Sequence, residues 1–524
     1  MKAKTVGIIG GGLSSLTAAV RLAGMGFQVK LYEKNPMLGG KMNQFIQDGF
    51  RFDTGPSLLT MPFIVEELFS FAGATRDQSP DLIPVAPICK YFFSDKSEFS
   101  AYSDGKRMNR EFNRLFPQEK KKYVDFLKYC ERIFNASAEL FLFTPLHELK
   151  KILTPKIFPA LLKFYQIDPF RTVSQAIHSY FTDPRLIQLF CRYATYNGSN
   201  PFKAPATLNI ISYVEYVLGG YYIRGGMYQL IEKLSKLATS LGVEIHTSSF
   251  VEKIKYQHQQ VTGLVVNNEF IQTDYILCGT DVVEAFDRLI EGQSRTITKL
   301  KALEPSLSGL VFLWGLRGKH PQLKHHNIFF SKNYEEEFQQ IFRKLQTPDD
   351  PTIYIAISSK NDPGHAPADC ENWFVLINVP YLNGRIDWGD QTNRMKQIIL
   401  QKLKIFGLDI GSHIIFEKTI TPEDFLRIYR SNQGSIYGIS SNSRMTAFKR
   451  HSNRSRQIKN LYFAGGSVHP GGGIPLVMLS GKMASELIAE NEGIHAEANI
   501  SMNEWLEKHP KINLQELANQ FLNV

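Results

Sequence analysis

Residues 5–34, TVGIIGGGLSSLTAAVRLAGMGFQVKLYEK, restrict the possible folds of this chain more than any other stretch. The apolar run Val6, Ile8, Ile9 predicts a buried parallel strand that stops at Gly10, Gly11 and Gly12. Leu13, Leu16, Ala19, Val20 and Ala23 follow at helical spacing, and residues 29–32 form a second apolar run that delivers Glu33. Strand, glycine turn, helix, strand and acid are together the context of a dinucleotide fingerprint. Gly10 permits the tight turn, and Gly12 lets the backbone approach a pyrophosphate, to which the helix N-terminus offers free N–H groups. Glu33 lies about twenty residues further on, where a carboxylate accepts hydrogen bonds from a ribose hydroxyl. Ser14-Ser15 replaces the third glycine, and a slight adjustment of helix packing is expected in response.

A chain of 524 residues is too long for one core, so two or three domains are expected. A net charge of +10 is modest for this length and contains no run of six like charges, so no nucleic-acid partner is expected. The cysteines Cys89, Cys130, Cys191, Cys278 and Cys370 are scattered and form no CxxC pair, which argues against a disulfide framework or zinc site and fits a reducing cytosol. Lys2 and Lys4 before apolar residues imitate a secretory signal, but the glycines and Ser14-Ser15 interrupt its apolar segment. No uncharged apolar stretch reaches about 18 residues, so no spanning helix is expected.

Further glycine-dense turns follow Glu33: Leu38-Gly39-Gly40-Lys41, then residues 49–57, GFRFDTGPS. They suit a cofactor longer than a nicotinamide dinucleotide, with FAD the natural candidate. Lys41 could offer charge to its phosphates, and Gly55-Pro56-Ser57 could run near the flavin ring; two ordinary surface turns are the alternative. Residues 461–466, LYFAGG, give another strand into a glycine turn, then SVHPGGGIP and a predicted helix over 476–489. That helix would aim its N-terminus at the part of a flavin where reduction builds negative charge.

Between these ends the character changes. Residues 111–139 read as charged helix. Residues 141–165 mix apolar and aromatic side chains with Lys150, Lys151, Lys156 and Lys163. That is either an interfacial segment whose lysines meet lipid headgroups or an amphipathic helix packed on its own core. Asp183 opens a helix carrying Arg192, Tyr193 and Tyr196, which residues 197–201, NGSNP, end. A helix over 228–241 and strands near 243–245, 250–254, 261–266 and 275–278 predict a second layer of the nucleotide domain. Residues 298–451 read as a mixed sheet, with strands at 310–314, 353–357 and 373–379 and a helix over 393–405. His325-His326 is read as structural rather than as a metal ligand, no metal site is expected, and the polar tail after Gly493 is expected to be peripheral.

Gly10 to Gly12 with Glu33, Gly39-Gly40, residues 53–56 (DTGP), Arg224-Gly225-Gly226 and residues 461–475 occur in an order that resembles the flavin-dependent carotenoid desaturases, the bacterial phytoene desaturase family. The HPGGGIP segment carries most of that resemblance. Residues 192–201, RYATYNGSNP, are more similar to the 1-hydroxycarotenoid 3,4-desaturases, while Ser14-Ser15 and Lys41 are mild departures from the family pattern. The resemblance implies an α/β fold: a discontinuous Rossmann-like FAD-binding domain (1–75, 225–297 and 455–492), a helical membrane-facing region (76–224) and a mixed-sheet α+β substrate domain (298–454). It implies FAD contacts from Gly10, Gly12, Leu13, Ser14, Glu33, Lys34, Gly40, Lys41, Gly55, Pro56, Ser57, Val251, Gly465, Gly466, Gly473 and Ile474, with the Val251 backbone at the adenine.

The implied activity is desaturation of a carotenoid, most specifically 3,4-desaturation of a 1-hydroxycarotenoid. Hydride would go to flavin N5, a base not legible in the sequence would take the proton, and oxygen or a quinone would accept the electrons. Arg192, Tyr193 and Tyr196 would line the substrate tunnel near the hydroxyl, with core packing or helix capping as the competing account. The protein would sit peripherally on the cytoplasmic face of the membrane. The other readings are a phytoene desaturase, a carotenoid oxygenase or isomerase, a soluble flavin amine oxidase-like enzyme, and a non-catalytic FAD-bound membrane or assembly protein.

Overall fold

Side chains alternate along a strand, and in Thr5–Ile9 that alternation separates two cores. The computed structural model describes residues 3–148, 151, 164–443, 449–495 and 514–522. Thr5–Ile9 is the middle of a five-stranded parallel sheet, in the order Leu461–Phe463, Tyr275–Cys278, Thr5–Ile9, Gln28–Tyr32, Glu244–His246. Ile8 and Leu277 join a core with Leu16 and Val20 of helix Leu13–Gly24, Leu234 of helix Gln229–Ser240 and Leu487 of helix Ile474–Asn491. Ile9, Ile276 and Cys278 join the other, with Ile254 and Leu264 of the antiparallel strands Val251–Gln257, Gln260–Val266 and Glu269–Gln272. This is the layered nucleotide unit expected, assembled from three distant parts of the chain.

The third-glycine departure is resolved on the partners of the serines. A Cβ on Gly481 of the C-terminal helix would lie 2.2 Å from the Ser14 carbonyl oxygen, and one on Gly279 would lie 2.0 Å from Ser15 Oγ. Close packing is kept, but the bare backbone that permits it sits across the interface. The buried Glu67 carboxylate on helix Phe63–Phe71 ties these helices together, accepting from Arg21 and from Lys482 Nζ at 3.0 Å. Burial alone would raise the Glu67 carboxyl, but the two cations outweigh it and hold it below its ordinary value.

The second half is a seven-stranded mixed sheet in the order Ile414–Ile420, Ser308–Arg317, Cys370–Val379, Ile353–Ala356, His326–Phe329, Cys89–Phe92, Glu98–Ala101. The last two strands come from a region read as helical, and Cys89–Phe92 pairs parallel to His326–Phe329. One face buries Phe312, Trp314, Ile355 and Val375 under helix Trp388–Ile405. The opposite face turns Val311, Tyr354, Phe374 and Leu376 towards a cavity between the two halves. Helices Gly105–Leu115, Lys120–Ser137, Pro184–Cys191 and Ile210–Tyr216 pack together through Phe112, Tyr123, Phe190 and Tyr216, and Phe112 meets Phe99 of the last strand.

Of the lysine-rich stretch, residues 149–150 and 152–163, including Lys150, Lys156 and Lys163, lie outside the described residues. Lys151 pairs with Glu490 of the C-terminal helix. Within the tail expected to be peripheral, helix Leu514–Leu522 buries Leu517, Ala518 and Phe521, and the Phe521 ring meets Phe112 and Tyr123. Its apolar spacing seats it in the helical core. Among the described residues no helix is long and apolar enough to cross a membrane.

Gly279→Ala is expected to cost about 1–3 kcal/mol by overpacking. Ser15→Gly in the same chain should return part of that loss, because it removes the atom nearest the added methyl. Denaturant unfolding of both single variants and the double variant checks this; additive losses would show that Ser15 is not what Gly279 accommodates.

Candidate active site

All five parallel strands deliver their C-terminal ends to one cavity of about 710 Å³. Lateral hydrogen bonds hold those ends together: Gly10 N–H to Tyr32 O at 2.8 Å, Glu33 N–H to His246 O at 2.9 Å, and Gly279 N–H to Ile9 O at 2.8 Å. Loops beyond the carboxyl ends of such strands form the ligand crevice of an open α/β sheet.

Two helix N-termini open on this crevice without a side-chain cap. Gly12 precedes helix Leu13–Gly24, and Gly473, at φ 105°, precedes helix Ile474–Asn491. A Cβ on either glycine would meet nothing within 4 Å, so both face open space rather than packed protein. Their unpaired N–H groups and positive dipole ends suit an anionic ligand. Glu33 is held by the Gly11 N–H at 2.7 Å and the Asn35 N–H at 2.8 Å, and it lines the same cavity with lone pairs remaining for a ribose. An uncapped glycine cradle, an oriented carboxylate and a second uncapped helix fit an extended dinucleotide such as FAD.

The structure brings Gly10, Gly12, Leu13, Ser14, Glu33, Lys34, Gly40, Lys41, Gly55, Pro56, Ser57, Val251, Gly465, Gly466, Gly473 and Ile474 to the wall of this one cavity. The two lysines are engaged with the protein there. Lys34 Nζ donates to Ile428 O at 2.5 Å, and Lys41 Nζ donates to Ile436 O at 2.6 Å and Ser435 O at 3.2 Å. Burial pulls the Lys41 ammonium down to about 8, against the pull of Asp281. The Arg224-Gly225-Gly226 segment serves the scaffold. Arg224 pairs with Asp81, and a Cβ on Gly226 would fall 2.0 Å from the Arg51 guanidinium. Asp53, paired with that arginine, accepts from the Met227 and Tyr228 N–H groups before helix Gln229–Ser240.

Arg192 and Tyr196 also line the cavity, whereas Tyr193 stands behind them. Helix Pro184–Cys191, capped by Asp183, tightens into a 3₁₀ turn over Arg192–Asn197 and ends at Gly198 in the left-handed region, φ 62°. The turn directs three side chains onto Glu215, which accepts from Arg192 Nη2 at 3.0 Å, from Tyr193 OH at 2.8 Å and from Tyr196 OH. Glu215 is fully buried, as is Tyr91, whose hydroxyl accepts from Arg192 Nε at 3.0 Å. Burial pushes the Tyr91, Tyr193 and Tyr196 hydroxyls well above their ordinary value, so all three stay protonated.

Sequence reading missed Glu215, although a single acid among apolar and aromatic residues in helix Ile210–Tyr216 was a usable signal. It also missed Arg450, a buried cation that donates to Tyr437 O at 3.2 Å, to Asn197 Oδ1 at 2.7 Å and to Gly466 O. Arg450 thereby stitches the C-terminal glycine turn to Tyr437 and to the end of the 3₁₀ turn at Asn197, and nothing local in its sequence marks it. His325 and His326 are buried, with Nδ1 atoms 2.6 Å from Asn361 Oδ1 and 2.7 Å from Tyr354 OH respectively. Among the described residues no three His, Cys, Asp or Glu side chains are grouped to hold a metal.

Gly12→Val should fold as well as the wild type, because its extended backbone and open surroundings accept a side chain. The same side chain should exclude the ligand and leave the purified protein without flavin absorbance. Thermal unfolding of apoprotein and visible spectra check both halves; a full flavin spectrum would remove Gly12 from the binding surface.

The chain is matched over residues 13–489 by the family described as flavin containing amine oxidoreductase. It is 38% identical over 483 residues to the 1-hydroxycarotenoid 3,4-desaturase of Flavobacterium sp. (strain P99-3), covering 92% of this chain and 98% of that protein. It is 36% identical over 484 residues to the 4,4'-diapolycopene oxygenase of Methylomonas sp., covering 92% and 97%. Among solved structures, a redesigned putrescine oxidase aligns at TM-score 0.61 with 11% identity, over 93% of this chain and 100% of that one. An oxidoreductase from Methanosarcina mazei aligns at 0.61 with 15% identity, over 91% and 99%. These last two show the shared fold. FAD is the cofactor of this oxidoreductase, and the chain belongs to the flavin-containing amine oxidoreductase family, within its carotenoid desaturase-type FAD enzymes.

Proposed function

We propose that this protein desaturates a carotenoid, inserting one 3,4 double bond into a 1-hydroxycarotenoid. The observation that carries this reading is one continuous cavity with three kinds of wall. The glycine cradle, the apolar sheet face of Val311, Phe374 and Leu376, and the polar cluster of Arg192, Tyr196 and Glu215 all line it. A long hydrocarbon with one oxygenated end matches that combination of surfaces, and the similarity to the Flavobacterium desaturase supports the same substrate class.

When bound, FAD supplies the two-electron acceptor for the C–H bond that is broken. The chain's own residues position and enclose. The sheet face orients the polyene and keeps water out, so the cation-like character that develops beside the polyene is spread along its own conjugation. The buried Arg192–Glu215 pair is rigid and already hydrogen-bonded, so it closes the apolar channel without presenting a loose charge to it.

A specific observation favours oxygenation of the chain end as a second reading: identity to the Methylomonas oxygenase is 36%, close to that with the desaturase. Product mass separates the two. Holoenzyme incubated with a 1-hydroxycarotenoid should yield a product lacking two hydrogens, with absorption moved to longer wavelength by one step of conjugation, and phytoene should give little conversion. A product that gains oxygen would establish the second reading, and efficient stepwise conversion of phytoene would replace both.

Such substrates reside in lipid, so we also place the protein peripherally at the cytoplasmic membrane surface. The composition of residues 141–165 supports this. Because Lys151 pairs with Glu490, the informative charge reversals are Lys150→Glu, Lys156→Glu and Lys163→Glu together. This triple variant should lose flotation with anionic liposomes, and salt should weaken wild-type flotation. Unchanged flotation of the variant would remove the segment from the lipid contact.

A further inference from the structure

At the Arg192 end of the cavity, the polar groups of the ion-paired cluster largely engage one another, but a second polar feature there does not close on itself. His326 lines the cavity at 2% exposure, with Nδ1 2.7 Å from Tyr354 OH. The Tyr354 hydroxyl is also hydrogen-bonded to Ser57 Oγ, on the loop that carries Gly55 and Pro56 along the same wall. The other ring nitrogen, Nε2, is buried and has no hydrogen-bond partner. A buried polar atom left unpaired is destabilising, and in native proteins such atoms are rare enough to need a reason.

The chemistry of the triad states what would satisfy that atom. Burial pulls the His326 imidazole well below its ordinary value, with His325 and Arg192 adding to the effect, so the ring is neutral. A neutral imidazole carries one N–H donor and one bare acceptor. If Ser57 donates to Tyr354 and Tyr354 to Nδ1, then Nε2 bears the hydrogen and needs an acceptor. If Nδ1 donates to Tyr354 and Tyr354 to Ser57, then Nε2 is bare and needs a donor. A hydroxyl both donates and accepts, so it completes either arrangement; a carbonyl completes one, and a hydrocarbon completes neither.

We propose that His326 Nε2 is the hydroxyl-binding point of the cavity, with Tyr354 and Ser57 as positioning residues that fix the ring. This rests on the carotenoid reading above and deepens it: Arg192, Tyr196 and Glu215 bound the polar end, while His326 reads the neutral hydroxyl. Selectivity then comes from rejection, because a hydrocarbon end group would seal Nε2 away from every partner.

The test is binding rather than turnover. Holoenzyme in mixed micelles is titrated with a polyene bearing one tertiary hydroxyl and with the matching hydrocarbon polyene, and Kd is read from quenching of tryptophan fluorescence. Wild type should prefer the alcohol by about tenfold. His326→Leu should bring that ratio close to one by weakening only the alcohol, His326→Gln should retain part of it, and Tyr354→Phe should fall between. The ratio of flavin to protein absorbance should stay unchanged in all of them. Retained selectivity in His326→Leu overturns the proposal, as does loss of flavin from that variant, which would give Nε2 to the cofactor. Should His326→Leu fail to fold, Tyr354→Phe decides: a reduced ratio supports the proposal and an unchanged one overturns it. Wild type that binds neither polyene removes the carotenoid reading together with this subsite, whereas selective wild type with an equally selective His326→Leu removes the subsite alone.

Discussion

An anionic cofactor needs donors that a folded chain normally consumes internally, and the supply of such donors organises this molecule. The N-termini of helices Leu13–Gly24 and Ile474–Asn491 both stay uncapped and open on one crevice, although about 460 residues separate them in the sequence. Each exposes N–H groups that cost free energy unless a ligand or water accepts from them. Bringing two such ends together is possible because a parallel sheet places every strand's carboxyl end on one edge. The three-part assembly of that sheet, from residues 5–32, 244–278 and 461–463, is therefore what builds the site.

The second sheet solves a different problem with the same alternation rule. Trp314 and Trp373 pair across Ser308–Arg317 and Cys370–Val379 and face their covering helix, which leaves their neighbours Val311, Phe374 and Leu376 for the cavity. A sheet with one face against a helix and the other against a ligand channel needs apolar residues on both. The near-continuous burial of Ser308–Arg317 reflects that requirement.

Part of the charge buried inside is held in ion pairs, and part, as at Arg450 and Lys41, is held by neutral oxygens. Arg192 with Glu215, and Glu67 with Arg21 and Lys482, are buried pairs that would be costly to break, since removing one partner strands the other. Such pairs stabilise little relative to an apolar core, but they tolerate one geometry. In the Arg192 cluster that geometry also fixes Tyr91, Tyr193 and Tyr196 around the guanidinium.

By itself the sequence determined the nucleotide-binding unit. Glycines at a strand-to-helix turn, 3.6-residue periodicity and a carboxylate at the next strand's end are local patterns, and each has a local physical cause. The same reasoning located the C-terminal glycine turn and expected a helix to carry Arg192, which the fold tightens into a 3₁₀ turn after Cys191. Only the tertiary structure decided the rest, because it depends on contacts between distant residues. Gly279 and Gly481 make room for Ser15 and Ser14, Cys89–Phe92 adds a parallel strand to the second sheet, and helix Leu514–Leu522 enters the core. Tyr193 is placed behind the cavity wall while Tyr196 is on it, and Lys41 is turned onto two backbone carbonyls. Burial decides such roles, and burial is a property of what the rest of the chain packs against a residue. His326 illustrates the limit: the sequence shows one histidine beside another, whereas only the fold pairs its Nδ1 with Tyr354 and leaves Nε2 without a partner.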